Sequence, residues 1–301
     1  MKIKLLFILG FLAFFAFTQC KSEKKAKEKQ AVESNEEASG FSDNEKIMYS
    51  LPSPDEIFSE IFMEEMNLKP EYVNPSTNAS NYIDVKSQAI NLGVYISDFA
   101  YLSAIESNTD ELAYLKIIRE LMDKVNLYGI VNEEMLDRIN ENLMVKDSLN
   151  KISQELYYKM SNILENSDRN NILVLVSTGA IVEALYLAIN NIEFNHSGEV
   201  IQKIFDQKFV FDNYYEFASQ YSDDIYVKTV LNELSVIKNM FEHLDFNDSK
   251  INVTKESGSD FLVIQGGKEI IVTEEAYLGF RENITNVRNL LVSISKSINQ
   301  P

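Results

Sequence analysis

Beyond about residue 50, apolar residues recur at three- and four-residue steps, the pattern of helices with one buried face. After Leu51-Pro52-Ser53-Pro54, the spacing predicts a helix from Asp55 to about Asn67, with Ile57, Phe58, Ile61, Phe62 and Met66 on one stripe. Lys69 to Asn81 carries Pro70, Pro75 and several Asn and Ser residues and reads as a loop. A helix over roughly Tyr82 to Glu106 is apolar on nearly every side, which marks it as buried. Amphipathic helices follow at about Thr109–Leu127, Glu133–Met144 and Lys146–Leu164, then a second all-round apolar helix over Asn171–Asn190. Two or three more are expected between His196 and Leu244.

The pattern changes near the C-terminus. Ile251–Thr254 and Phe261–Gln265 alternate like strands, Gly266-Gly267 reads as a tight turn, and Glu269–Thr273 as the return strand. Thr273 with Glu274 and Glu275 is a helix start, acids lying at the positive end of the dipole. Tyr277, Phe280, Ile284, Val287, Leu291, Ile294 and Ile298 then give one more helical stripe.

The two all-round apolar helices share a pattern of acid, two spacers, Tyr, Leu: Asp98…Tyr101-Leu102 and Glu183…Tyr186-Leu187, preceded by Gly93 and Gly179. The glycine-to-acid spacing is five in the first and four in the second. The expected fold is therefore all-α: a multi-helix bundle, suggesting a tandem duplication of a roughly four-helix unit, with a small hairpin at about residues 251–273 and a final helix. Ile172–Ile189 also approaches the length of a membrane span. Ser177, Thr178, Gly179 and Glu183 inside it, and flanks without a basic bias, favour the centre of a bundle instead.

The first fifty residues differ in kind. Lys2 and Lys4 precede the apolar run Leu5–Phe17, whose thirteen residues span roughly 20 Å of helix, too short for a ~30 Å hydrocarbon core. Residues 1–19 read as an export signal ending in Phe17-Thr18-Gln19-Cys20. Cys20 is the only cysteine, so no internal disulfide or Cys-based zinc site can form. A cysteine closing such a run resembles the lipobox of bacterial lipoproteins, with Gln19 in place of the usual small residue. The resemblance implies cleavage before Cys20 and acylation of it; the alternative is an ordinary signal peptide with an incidental cysteine. Residues 20–46 are charged and poor in apolar side chains, as expected of a flexible tether. Residues 47–301 form the helical domain.

The lipobox-like start, NLGVY-x-x-D-x-x-Y, G-x-x-x-E-A-L-Y and GGK-x-I-x-V-T before a last helix resemble a group of uncharacterised helical lipoproteins of Bacteroidota. That resemblance implies a Gram-negative envelope, with the outer membrane as its seat. It implies no activity.

The chain carries −18 formally. Lys2 and Lys4 fall in the signal, leaving −20, and the tether's six lysines against seven acids leave −19 on the folded part. Such a body repels nucleic acid and anionic lipid, so the membrane contact expected is the lipid anchor alone. Two acids in buried helices, Asp98 and Glu183, with Tyr101 and Tyr186 one turn away, are the candidate polar site. Buried carboxylates must be paired, protonated or metal-bound, and a twofold arrangement would bring these two together. The plainer reading is that each accepts hydrogen bonds and orients the core. His196 and His243 lie in no zinc-binding spacing, and GxSxG, Walker and GxGxxG patterns are absent from the sequence. Phe209, Phe211, Tyr214, Tyr215, Phe217 and Tyr221 at helical spacing read as core. The sequence thus leads to a lipid-anchored, non-catalytic binding or scaffold protein with an envelope partner, without cofactor, metal or catalytic residue. A small-ligand or cation binder using Asp98 and Glu183 is the alternative.

Overall fold

The computed structural model describes residues 51–61, 68–105, 111–142, 145–194, 198–255 and 262–293, all within one compact unit, Met48–Pro301. The signal, Cys20, the tether and His196 lie outside the described residues.

The fold is an all-α multi-helix bundle with one two-stranded hairpin. Helix α1 (Pro54–Ile61) opens it and buries Ile57, Phe58 and Ile61. Ser53 and Glu56 cap it reciprocally: the Glu56 amide donates to Ser53 Oγ (3.4 Å), and the Ser53 amide to Glu56 Oε2 (2.8 Å). Two 3-10 turns, Pro70–Tyr72 and Ser76–Asn81, shape the loop that follows. Helix α2 (Val85–Ala104) starts later than Tyr82 because Asp84 caps it, accepting from the Ser87 amide at 2.9 Å. Then come α3 (Glu111–Lys124), α4 (Glu133–Asn142), α5 (Lys146–Asn166) and α6 (Asn170–Asn190), followed by α7 (Gly198–Asp206), α8 (Lys208–Ser219) and α9 (Ile225–Glu242). Helices α3 and α5 end in left-handed residues, Asn126 (φ 58°) and Asp168 (φ 54°), each followed by an amide bonded five residues back.

The hairpin departs from the sequence expectation. Strands β1 (Asp245–Lys255) and β2 (Leu262–Ile271) are longer than expected, and Gly266-Gly267 lies inside β2 rather than at a turn. Ser249 pairs with Gly267 and Asn252 with Gln265, so Lys250 and Ile251 bulge opposite Gly266. The bulged residues lie in β1, and Gly266 is the single residue that faces them from β2. Helix α10 (Glu274–Ser293) closes the fold on Tyr277, Phe280, Ile284, Val287 and Leu291.

Helices α2 and α6 form the centre and pack closely on each other. Their backbones touch at two glycines. A Cβ on Gly93 would sit 1.9 Å from the Val176 carbonyl oxygen, and one on Gly179 would sit 1.9 Å from that of Ile90. The contact is reciprocal, relating each α2 residue to the α6 residue 86 positions later. Beyond it, Ser97 Oγ donates to the Ala180 carbonyl at 2.7 Å, so the helices run in the same sense. The acids do not obey this local twofold. The positional twin of Glu183 is Ser97, and that of Asp98 is Ala184. Aligning acid with acid therefore slips the register by one residue, or 100° of helix. The helix order does repeat, with three helices after α2 and three after α6.

By length and composition α6 is apolar enough to cross a membrane, yet 89% of its most apolar stretch is covered by the rest of the fold. In the aromatic stretch, Phe211, Tyr214 and Phe217 are buried as expected. Phe209 points outward, 56% exposed.

Placing a methyl at either glycine forces two backbones apart. Gly93→Ala and Gly179→Ala are each expected to lower unfolding free energy by about 3 kcal/mol or more. Gly198→Ala, at a glycine with nothing within 4 Å of its added Cβ, is the control. Urea unfolding checks all three, and a small effect at the crossing would contradict the close approach.

Candidate functional site

Just past the glycine contact, α2 carries Asp98 and α6 carries Glu183, both fully buried. Their side chains lie within hydrogen-bond reach of each other. Two ionised carboxylates so close, away from water, would repel strongly. One cation reaches them. Arg288 of α10 is 7% exposed and grips Glu183 with both arms, Nε to Oε2 at 2.8 Å and Nη2 to Oε1 at 2.9 Å. This forked geometry matches a carboxylate and uses both its oxygens. The guanidinium lies over the ring of Tyr186, 4.6 Å from its centroid, and Tyr72 meets Tyr186 edge-on.

Asp98 is served differently. Its Oδ2 accepts from the Asn74 amide at 3.2 Å, while its buried Oδ1 accepts no hydrogen bond. Burial first, and then the charge of Glu183, push its carboxyl well above the usual carboxylate range; Arg288 offsets this only in part. One guanidinium neutralises one carboxylate. Asp98 is therefore the protonated member, and its proton bonds the two acids together. Burial works against the charge on Arg288, but the charge and hydrogen bond of Glu183, with smaller help from its other neighbours, raise the guanidinium overall.

A shell of phenols fixes the loop over this pair. Asn74 Nδ2 donates to Tyr82 Oη (3.0 Å), Tyr114 Oη donates to the Asn74 carbonyl (3.0 Å), and Tyr95 Oη to the Pro75 carbonyl (2.9 Å). Burial raises all three phenols, keeping them neutral.

Of the four residues singled out in sequence, Asp98, Glu183 and Tyr186 share this cluster. Tyr101 instead donates to the Lys69 carbonyl at 3.1 Å, with its ring against Phe58. Arg288, Asn74, Tyr82 and Tyr114 were not foreseen. A signal for Arg288 existed: it lies four residues after Ile284 and three before Leu291, on the buried stripe of its own helix. Asn74 sits in a loop, where no periodicity reveals what is buried.

The cluster suits holding a fold better than turning over a substrate. Glu183 is spent on Arg288, Asp98 is neutral, and both are shut from solvent. Among the described residues no three His, Cys, Asp or Glu side chains gather as metal ligands would. His243 caps the end of α9, its Nδ1 2.6 Å from the Asn239 carbonyl. No protein-family model, no curated protein and no solved structure matches the chain.

Removing one partner of a buried ion pair strands the other. Arg288→Met is expected to cost about 3–5 kcal/mol in urea unfolding, and Arg288→Met with Glu183→Gln less than Arg288→Met alone. A double variant no better than the single one would contradict the pairing. The pH dependence is a separate check. Folded Asp98 holds its proton above the unfolded value of 3.8, so its contribution is full below about pH 4 and is lost as pH rises toward the raised value. Asp98→Asn should reduce the fall in stability between pH 5 and pH 9 by about 1 kcal/mol or more. An unchanged fall would show that Asp98 is ionised in the fold.

Proposed function

We propose that this chain is an envelope lipoprotein, anchored through Cys20, whose helical body is a non-catalytic binding or scaffold module. One observation supports the reading above the others. The acids able to do chemistry are consumed inside the fold, both oxygens of Glu183 by Arg288, with Asp98 sealed at zero exposure. The interior then serves the shape of the body, and its outer surface is left to meet a partner. The charge of that body argues against nucleic acid as the partner and favours a cationic or neutral protein surface. A cation bound between Asp98 and Glu183 would have to displace Arg288, which makes cation binding the weaker reading.

The lipobox-like Phe17-Thr18-Gln19-Cys20, following a short apolar run, supports the anchor, and the resemblance to helical lipoproteins of Bacteroidota supports an outer-membrane seat. Two or three acyl chains, each methylene contributing about 0.8 kcal/mol, would hold the body firmly at the bilayer. Palmitate labelling and membrane fractionation test this. The wild-type chain should take the label and sediment with membranes, and Cys20→Ser should lose both while keeping its helical circular dichroism. An intact, unlabelled amino terminus in cytosolic material would overturn the anchor. For the body, crosslinked pull-down from envelope extract with the full chain should recover the same partner from wild type and from Asp98→Asn. Recovery of none, or loss of the partner with Asp98→Asn, would count against a surface-binding role.

A further inference from the structure

The acid pair is not the only carboxyl held inside. Asp55, in the first turn of α1, accepts from Ser153 Oγ of α5 at 2.8 Å through Oδ2, while its buried Oδ1 accepts from nothing. One residue on, Glu56 accepts from the Tyr158 phenol of α5 at 2.6 Å. These two hydrogen bonds tie the start of α1 to α5. Among the described residues the remaining attachment is apolar, through Pro54, Ile57, Phe58 and Ile61. Among the described residues α1 spans Pro54–Ile61, and burial against its neighbours holds it.

We propose that α1 is a proton-sensitive clasp, docked on α2, α5, α6 and α7 while Asp55 carries its proton and loosened when Asp55 ionises.

Among the described residues no cationic side chain holds ionised Asp55 in place; Ser153 and the backbone amide of Asp55 itself favour the anion, and burial outweighs them. On its own helix, Glu56 is the charge that acts on it, and it repels. On α5, Lys151 is exposed, Glu155 and Lys159 are bonded to each other, and Tyr158 is taken by Glu56. On α7, Lys203 pairs with Glu199, and Asp206 accepts from Gln202. The charged residues of α2 are Lys86, which faces Asp84 and Glu233, and Asp98; that of α6 is Glu183, bound by Arg288. An anion on Asp55 would thus stand buried with no cation beside it, its Oδ1 without a well-formed hydrogen bond. Burial pushes the carboxyl up to about 7, against the ordinary 3.8 it regains once α1 lifts away. Docking is then tightest below about pH 4, weakens as pH rises to 7, and stays at its weakest above.

Lifting α1 would expose the apolar seat on its neighbours, including the ring of Tyr101 beneath Phe58. This inference does not depend on Cys20 carrying lipid. Amide hydrogen exchange on the full chain at pH 5 and pH 8, corrected for intrinsic rates, tests it. In wild type, protection at Phe58 and Ile61 should fall at least about tenfold, each pKa unit being tenfold in the docking equilibrium, while α6 amides hold theirs. Asp55→Asn, which keeps the shape without the proton, should abolish the fall. Equal protection at the two pH values in wild type overturns the proposal without any variant. So does an equal fall in Asp55→Asn, or a parallel fall in α6, which would mean global unfolding.

Discussion

The contact between the backbones of α2 and α6 governs everything built around it. With no side chain at Gly93 or Gly179, each helix lays its main chain against a carbonyl of the other. So close a crossing leaves no water at its centre, and residues in the next turn are buried whatever their chemistry. Asp98 and Glu183 occupy that turn. Their presence obliges the fold to bring a cation, and the cation comes from Arg288, 105 residues from Glu183. The central pair of helices is thereby tied to the last one. Chain order alone would have made α10 dispensable, whereas the charge it delivers makes it part of the core.

One arginine against two acids fixes the protonation state. At an effective dielectric near 20, two charges at 4 Å interact by about 4 kcal/mol, so a second anion would meet repulsion from the first as well as its own cost of burial. Holding one proton removes both penalties and turns a repulsive contact into a hydrogen bond. The loop residue Asn74 completes the arrangement through its main-chain amide, and the phenols of Tyr82 and Tyr114 hold Asn74 there. A polar core of this kind is satisfied in only one arrangement of four elements, which gives the bundle a register that apolar packing by itself leaves loose.

How much of this was visible beforehand follows from the range of each interaction. Helix periodicity is local, and α2, α6 and α10 were legible from it. The meeting of Asp98 with Glu183 was expected only as a consequence of a twofold arrangement, beside the plainer reading in which each acid orients the core, and the acids meet out of that twofold's register. The exact crossing was not legible. Matching acid to acid gives an offset of 85, while the backbones meet at 86, a difference that only packing decides. Gly266-Gly267 misled for a related reason, since glycines sit inside a strand as well as at a turn, and pairing with β1 decides which. Arg288 was written on its helix as a charge within an apolar stripe, a mark that points inward but does not say to what. Asn74 left no mark at all.

Asp55 and Asp98 show that a protonated carboxyl has no fixed mechanical meaning. Each has one oxygen bonded and one buried oxygen that accepts nothing, and in each burial is the largest influence raising the carboxyl. Asp98 sits between α2, α6, α10 and the Asn74 loop, and for it to escape the whole centre of the bundle must part. Ionising it is therefore resisted by the stability of the entire domain. Asp55 sits on α1, which among the described residues is held by two side-chain hydrogen bonds to α5 and four buried apolar residues. There the same cost is met by moving only that helix. What separates a lock from a clasp is the amount of structure that must yield before water reaches the oxygen.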